Sequence, residues 1–517
     1  MKGAEALIRT LVASGIETCF GNPGTSEMHF VASVDKVPQL RNILCLAEGV
    51  VTGAAAGYGR IAGKPAATLL HLGIGFGNGI ANLQNGLRGG APIVNIIGDH
   101  ATFHPDPGSP VGPRILEGAV PTVSGWVGCP KTVAELSPMV VKAVMAALGP
   151  PRTIATLILP ADVSWSDGAE AIESVSLPAP PSFDESRLSE IERLLRSGEP
   201  CLFLIGGQAE TGDCLQALSR IAQATGAQVL TGTSFSKIAR GAGMPSFGRL
   251  AYRVEGATAQ LAAARYLVLI DAIAPILTFG YPNTKSELTP EGCEIVPFLS
   301  ATDDVARILG ELADRVAAGV KPIGHPASNR DAPTGALDAA SVAQAVTAAM
   351  PDNAIVVDSS VSMSLGSQPA LFGAARHDWM TGSPGGAIGG GLPCALGAAV
   401  AAPDRRVIAL EADGSAMYNI QCLWTMAREN VDVTMIILNN RSYAILRAEL
   451  ERVGASHSPG ALAMLDLSTP PLSFVDIARG MGVDGRAVRT AEQLNEALVH
   501  SLGRGGPYLI EAQLETA

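Results

Sequence analysis

Two short stretches near the C-terminus combine residues suited to a cation and a phosphate. Asp413-Gly414-Ser415 follows the apolar run VIALEA, and Asn439-Asn440-Arg441-Ser442 follows VTMIIL. Each run reads as a buried strand of a parallel sheet. Asp413 and Asn440 then fall at the carboxyl ends of strands, where α/β proteins bind ligands. A carboxylate and a carboxamide oxygen, with few other protein ligands, suit Mg²⁺, which keeps its water and bonds substrate phosphates. Gly414 lets the backbone approach a phosphate. A helix predicted over 415–428 presents its N-terminus, with Ser415, to an anion. An Asp cap followed by an Asn turn accounts for either residue alone; the two together, at this spacing, favour the cation and phosphate.

The N-terminal third carries groups for proton transfer. Glu48, in Leu46-Ala47-Glu48-Gly49-Val50, stands after a strand and at the start of a helix, where a carboxylate also suits the helix dipole. His71 follows the strand AATLL and precedes the Gly-rich LGIGFGN. An imidazole titrating near neutrality can pass a proton there. Asn78 presents a second polar group on the same face. Thr25, in Asn22-Pro23-Gly24-Thr25, reads as a turn cap or a ligand. His100 and His104 read as a loop at the mouth, and Arg447 and Glu449 as a pocket edge or a solvated helix face.

The elements that must position these groups alternate. Residues 4–14, 49–62 and 77–87 have helical spacing, and 18–20, 66–71 and 92–97 read as strands, which implies a parallel sheet with helices on both faces. A Pro-, Ser- and acid-rich stretch at 165–187 reads as a linker. A second block follows, with strands at 201–205 and 228–231 and a helix near 211–225. A second linker spans 315–337. The last block has strands at 354–357, 407–411, 433–438 and 508–512. The expected fold class is α/β in three domains, 1–165, 186–320 and 338–517, each a mostly parallel sheet flanked by helices. The first and third share a rhythm.

Composition narrows the function. The 517 residues are 47% apolar and 16% charged, enough for large cores and for apolar surface hidden between subunits. A net charge of −12 without a Lys/Arg cluster, and 4% aromatics, argue against nucleic acid. No apolar run approaches membrane-spanning length. Eight dispersed cysteines without a CxxC pair fit a reducing, cytoplasmic setting.

With FGNPGTSE and GYGRIAG around Glu48, the chain resembles the thiamine-diphosphate (ThDP) enzymes, and among them the acetolactate synthase and benzoylformate decarboxylase group. Their diphosphate motif is Gly-Asp-Gly followed by Asn-Asn; here Ala412 replaces the first glycine. The resemblance implies that Asp413, Asn440 and the Ser442 carbonyl hold Mg²⁺. It places Gly414, Ser415, Ser360, Tyr443 and Asn78 around the cofactor. Ile388, in Gly-Gly-Ala-Ile-Gly-Gly-Gly, bends the cofactor so that its two rings meet. Glu48, as a buried carboxylate of raised pKa, bonds the aminopyrimidine. His71 lies over the thiazolium and Thr25 contacts substrate. The three blocks become pyrimidine-binding, central and diphosphate-binding domains of a homodimer or homotetramer, with cofactor between subunits. The implied substrate is a 2-oxo acid, either ligated to a second carbonyl or decarboxylated to an aldehyde. The decarboxylases use a second His from the central domain; 274–281 holds none, which tilts the expectation toward ligation. Gly206-Gly207 falls short of GxGxxG, so FAD is not expected. A non-catalytic paralogue is the remote alternative.

Overall fold

Strands such as β3 (Ala66–Leu70), β4 (Ile93–Asp99) and β16 (Val433–Asn439) are buried along nearly their whole length, as strands covered by helices on both faces must be. The computed structural model describes residues 1–104, 114–173, 183–362 and 371–514. Among these, three sheets form. The first joins β1 (Thr18–Asn22), β2 (Arg41–Leu44), β3, β4, β5 (Trp126–Gly128) and β6 (Ile154–Pro160), in the order β2-β1-β3-β4-β6-β5. The second joins β7 (Cys201–Ile205), β8 (Gln228–Thr231), β10 (Gly248–Arg249), β11 (Tyr266–Ile270) and β12 (Glu294–Leu299), as β10-β8-β7-β11-β12. The third joins β13 (Ala354–Ser359), β14 (His377–Thr381), β15 (Val407–Ala412), β16, β17 (Asp484–Val488) and β18 (Tyr508–Gln513) to β9 (Lys237–Arg240). Its order is β17-β18-β16-β15-β13-β14-β9. The α/β class and the mostly parallel sheets agree with the sequence.

Strand β9 comes from the central segment yet pairs antiparallel with β14, His377 opposite Arg240. The central and third blocks therefore share a sheet. Of the stretch read as a linker over 165–187, residues 174–182 lie outside the described residues. The second linker holds an isolated bridge from Ala336 to Thr490.

The first and third domains meet through two helices of small residues, Glu48–Ala62 and Gly391–Ala401. A Cβ on Gly57 would enter the Cys394 carbonyl, and one on Gly397 the Ala54 carbonyl. Backbones in such contact cannot admit a methyl without separating the helices. Gly397→Ala is expected to destabilise the chain by about 2–3 kcal/mol, read as a lower denaturation midpoint. Gly460→Ala, at a helical position with nothing within 4 Å, should stay within about 1 kcal/mol of the parent. Arg60 adds a polar tie across all three blocks, donating to the carbonyls of Ser236 and Thr381.

At the start of β14, His377 is buried, and its Nδ1 lies 2.7 Å from the Ala375 carbonyl. Burial, against the raising effect of the Ala375 carbonyl and with a smaller push from the Arg240 charge, brings its pKa from the ordinary 6.5 down to about 4. Above pH 6.5 both folded and unfolded chains hold it neutral. Between 6.5 and 4 the unfolded chain alone takes the proton, so stability falls as pH falls and levels off near 4. The full loss is about 3 kcal/mol at ~1.4 kcal/mol per pH unit. Denaturant titrations at pH 7 and pH 5 should show a loss of about 2 kcal/mol in the parent that His377→Asn does not share.

Candidate active site

The carboxyl edge of the first sheet gathers the predicted proton-transfer groups. Glu48 is the first residue of its helix. In the single chain it is half-buried. Asn78 Nδ2 donates to Glu48 Oε2 at 3.2 Å, so these two predicted residues do meet.

His71 caps the Leu72–Arg88 helix directly after β3. Its Nδ1 lies 2.9 Å from Oε2 of Glu27, a residue the sequence reading did not single out. Glu27 is 2% exposed. Its Oε2 also accepts the Gly24 N–H at 2.7 Å; with Glu27 ionised, this oxygen is an acceptor and His71 Nδ1 carries the proton. His71 Nε2 is left as the basic nitrogen. Burial pushes the Glu27 carboxyl up, and the bonds from Gly24 and His71 pull it back. The imidazole packs on Gly24, where a Cβ would enter the ring. Thr25, exposed, is the first residue of the Thr25–Glu27 turn that Gly24 caps, and so sits beside His71. One cue to Glu27 was available: an acid three residues after the glycine of a Pro-Gly turn can reach back to that glycine's N–H.

The carboxyl edge of the third sheet carries the other set. Asp413 is 3% exposed; Oδ1 accepts the Gly414 N–H and Oδ2 the Arg441 N–H, each at 2.7 Å. Burial raises its pKa against the lowering effect of the surrounding backbone N–H groups. Asn440 Oδ1 accepts the Ser442 N–H at 3.0 Å, closing a turn in which Arg441 has φ +57. Gly414 lies flat against Tyr443, whose ring a Cβ would enter.

The single helix expected over 415–428 is corrected to two, Asp413–Ala416 and Cys422–Glu429. The chain turns between them so that Asn419 can donate to the Gly389 carbonyl at 2.8 Å and press on Gly49. A four-residue helix has little macrodipole, so an anion here meets individual N–H groups. Ser415 Oγ accepts the Gly389 N–H at 3.0 Å and thereby ties the Asp413 turn to the loop holding Ile388. Ser360 is buried, and its hydroxyl donates to Asp358 at 2.7 Å. A bond from Ser360 to a diphosphate therefore requires that hydroxyl to turn.

Near the Ala444–Arg452 helix, Tyr281 donates to Glu449 at 2.9 Å and stacks under Arg452. A cavity of about 380 Å³ opens there between Tyr252, Arg253, Glu449 and Arg452. His100 and His104 stack on each other at 4.8 Å beyond β4. In the central domain, the turn after β7 gives the Gln208 N–H to the Asp271 carboxylate at 2.8 Å.

Fold and carboxyl-edge residues together fit a class of α/β enzymes that bind a diphosphate-bearing cofactor. Residues 1–107 match the family model "Thiamine pyrophosphate enzyme, N-terminal TPP binding domain", and 362–512 match "Thiamine pyrophosphate enzyme, C-terminal TPP binding domain". The chain is 51% identical over 514 residues to a Mycobacterium tuberculosis protein named "Putative acetolactate synthase large subunit IlvX", covering 99% of this chain and 98% of that one. It is 28% identical to benzoylformate decarboxylase of Pseudomonas aeruginosa, with 97% of each chain covered. The solved structure of a ThDP-dependent 4-hydroxybenzoylformate decarboxylase from Rhodococcus jostii RHA1 superposes with a TM-score of 0.83, at 26% identity and full coverage of both chains. The chain belongs to the thiamine pyrophosphate enzyme family. It is a ThDP-dependent enzyme that forms or breaks carbon–carbon bonds. Among the described residues no helix is long and apolar enough to cross a membrane.

Proposed function

We propose that the protein is a Mg²⁺-requiring carboligase of the acetolactate synthase type, joining the two-carbon unit of a decarboxylated 2-oxo acid to a second carbonyl. The observation that carries the cofactor reading is the oxygen set at the third sheet: Asp413 after β15 accepts the Arg441 N–H from the turn after β16 that holds Asn440 and Ser442. One carboxylate among neutral oxygens suits a hard cation that also bonds phosphates. Among the described residues no group of three or more His, Cys, Asp or Glu offers a competing metal site. ThDP, when bound, supplies a thiazolium that accepts the electron pair released as CO₂ leaves.

The chain's own residues do the rest. Asp413, Asn440 and the Ser442 carbonyl hold the cation. Gly414 and Tyr443 shape the floor beneath the diphosphate. Glu48 exchanges a proton with the aminopyrimidine nitrogen, while Asn78 holds its carboxylate in place. His71, its tautomer set by Glu27, presents Nε2 toward the substrate side beside Thr25. Ligation rather than protonation rests on the central segment, where Tyr281 gives its O–H to Glu449 and no histidine stands. The pairing of half-buried His71 with buried Glu27 supports the second reading, a decarboxylase that protonates its product and releases an aldehyde. Asp271 fills the β7 turn with negative charge, which supports a central domain without FAD. The cofactor lies between the first domain of one copy and the third of another.

NMR analysis of products from the enzyme, ThDP, Mg²⁺ and pyruvate tests this. Acetolactate or acetoin supports the carboligase. Acetaldehyde alone supports the decarboxylase, with His71 the next residue to change. No product removes pyruvate and moves the test to aromatic and branched 2-oxo acids.

A further inference from the structure

Two amides are buried where the first and third domains meet. Asn82 and Asn85 lie about one turn apart in the Leu72–Arg88 helix, 2% and 4% exposed. Asn85 satisfies its whole amide. Its Oδ1 accepts the N–H groups of Gly385 and Ala387 at 3.1 and 3.2 Å. Its Nδ2 donates to the Ala387 carbonyl at 2.7 Å and to Asn82 Oδ1 at 2.9 Å. Asn82 in turn donates to the Gly49 carbonyl at 2.8 Å.

The loop lies directly on this pair. A Cβ on Gly385 would come within 2.7 Å of the Gln84 carbonyl and 3.0 Å of Asn85 Cα. One on Gly390 would come within 2.9 Å of both Asn82 Oδ1 and Asn85 Nδ2. A leucine in mid-helix would fill such an interface without the cost of burying an amide. A fully satisfied amide instead specifies one arrangement of its partners. The partners of Asn85 include the residue before Ile388, and that of Asn82 is the residue after Glu48.

We propose that Asn85, braced by Asn82, is a positioning residue for the cofactor. It sets the 385–387 turn that aims Ile388 at one cofactor, and through Asn82 and Gly49 it ties that turn to the helix start whose Glu48 serves the second cofactor of the dimer. The inference rests on the reading that Ile388 bends ThDP and that Glu48 bonds its aminopyrimidine.

The test follows the cofactor's C2 proton, so it needs no substrate. Protein with ThDP and Mg²⁺ is transferred to D₂O, quenched in acid at intervals and read by ¹H NMR, while titration calorimetry gives ThDP affinity. Asn85→Ala is expected to slow C2 deuteration by about 100-fold, the cost of a small misplacement. ThDP affinity should change by less than about tenfold, because the diphosphate and cation residues are untouched. Asn85→Asp keeps both accepted bonds but sets a buried carboxylate oxygen against the Ala387 carbonyl and Asn82 Oδ1, so it should slow exchange at least as much as Asn85→Ala. Ile388→Ala should slow exchange similarly, and adding Asn85→Ala to it should slow it no further, since the two act through one contact. Parent-like exchange in Asn85→Ala, or multiplied effects in the double variant, would overturn the proposal. If Asn85→Ala does not fold, Gly385→Ala displaces the turn from the loop side and must give the same slowing. Failure of the parent to bind ThDP, or unchanged exchange in Glu48→Gln, overturns the cofactor reading and this inference with it. A normal parent and a slow Glu48→Gln beside a fast Asn85→Ala overturns the positioning role alone.

Discussion

Glu48→Gln should bind ThDP with near-parent affinity and lose turnover by at least about 10³-fold, the range expected when an acid–base group is removed. The glutamine side chain keeps the volume of Glu48 and an oxygen for the Asn78 amide, which donates at 3.2 Å in the parent. The helix start is likewise kept, since the backbone of Ala47 and Glu48 is unchanged. What is lost is the capacity to take and return a proton at the aminopyrimidine. Calorimetry with ThDP and Mg²⁺ reads the binding. C2 deuteration and product formation read the chemistry, and both should fall together. Parent-like turnover would remove Glu48 from the mechanism.

Asp413→Ala should act on the other half of the site, lowering ThDP affinity in the presence of Mg²⁺ by at least about 100-fold. The change removes a carboxylate held at 2.7 Å by two backbone N–H groups, so the Gly414 and Arg441 turns loosen as the cation ligand disappears. Because the two variants fail in different domains, they can also locate the site. If the cofactor lies between copies, a dimer of one Glu48→Gln and one Asp413→Ala chain has one doubly damaged site and one intact site. Mixing the inactive variants in equal amounts under subunit exchange should restore about a quarter of parent activity. A site within one chain would restore none.

Much of this was legible in the order of residues. Asp413, Asn440, Glu48 and His71 each follow a short apolar run, and a run ending in a turn marks the carboxyl end of a strand in any α/β domain. The strands β3, β7, β15 and β16 fall within a residue or so of where the apolar pattern places them. A single helix over 415–428 is the local reading because the segment holds no Gly or Pro to break it. The turn at Asn419 exists for the sake of Gly389 and Gly49, which no local pattern contains.

The sequence by itself thus determined the α/β class, the strand ends and the residues standing on them, since these depend on neighbours a few positions away. The tertiary structure alone decided how those residues are aimed. Glu27 becomes the partner of His71 across 44 positions, and its burial depends on Gly98, against which it is pressed. Asn85 reaches Ala387 across 302 positions. Strand β9 leaves the central block to complete the third sheet. Each of these contacts forms between segments that periodicity treats as unrelated, and only the packing of one domain on another brings their polar groups within bonding distance.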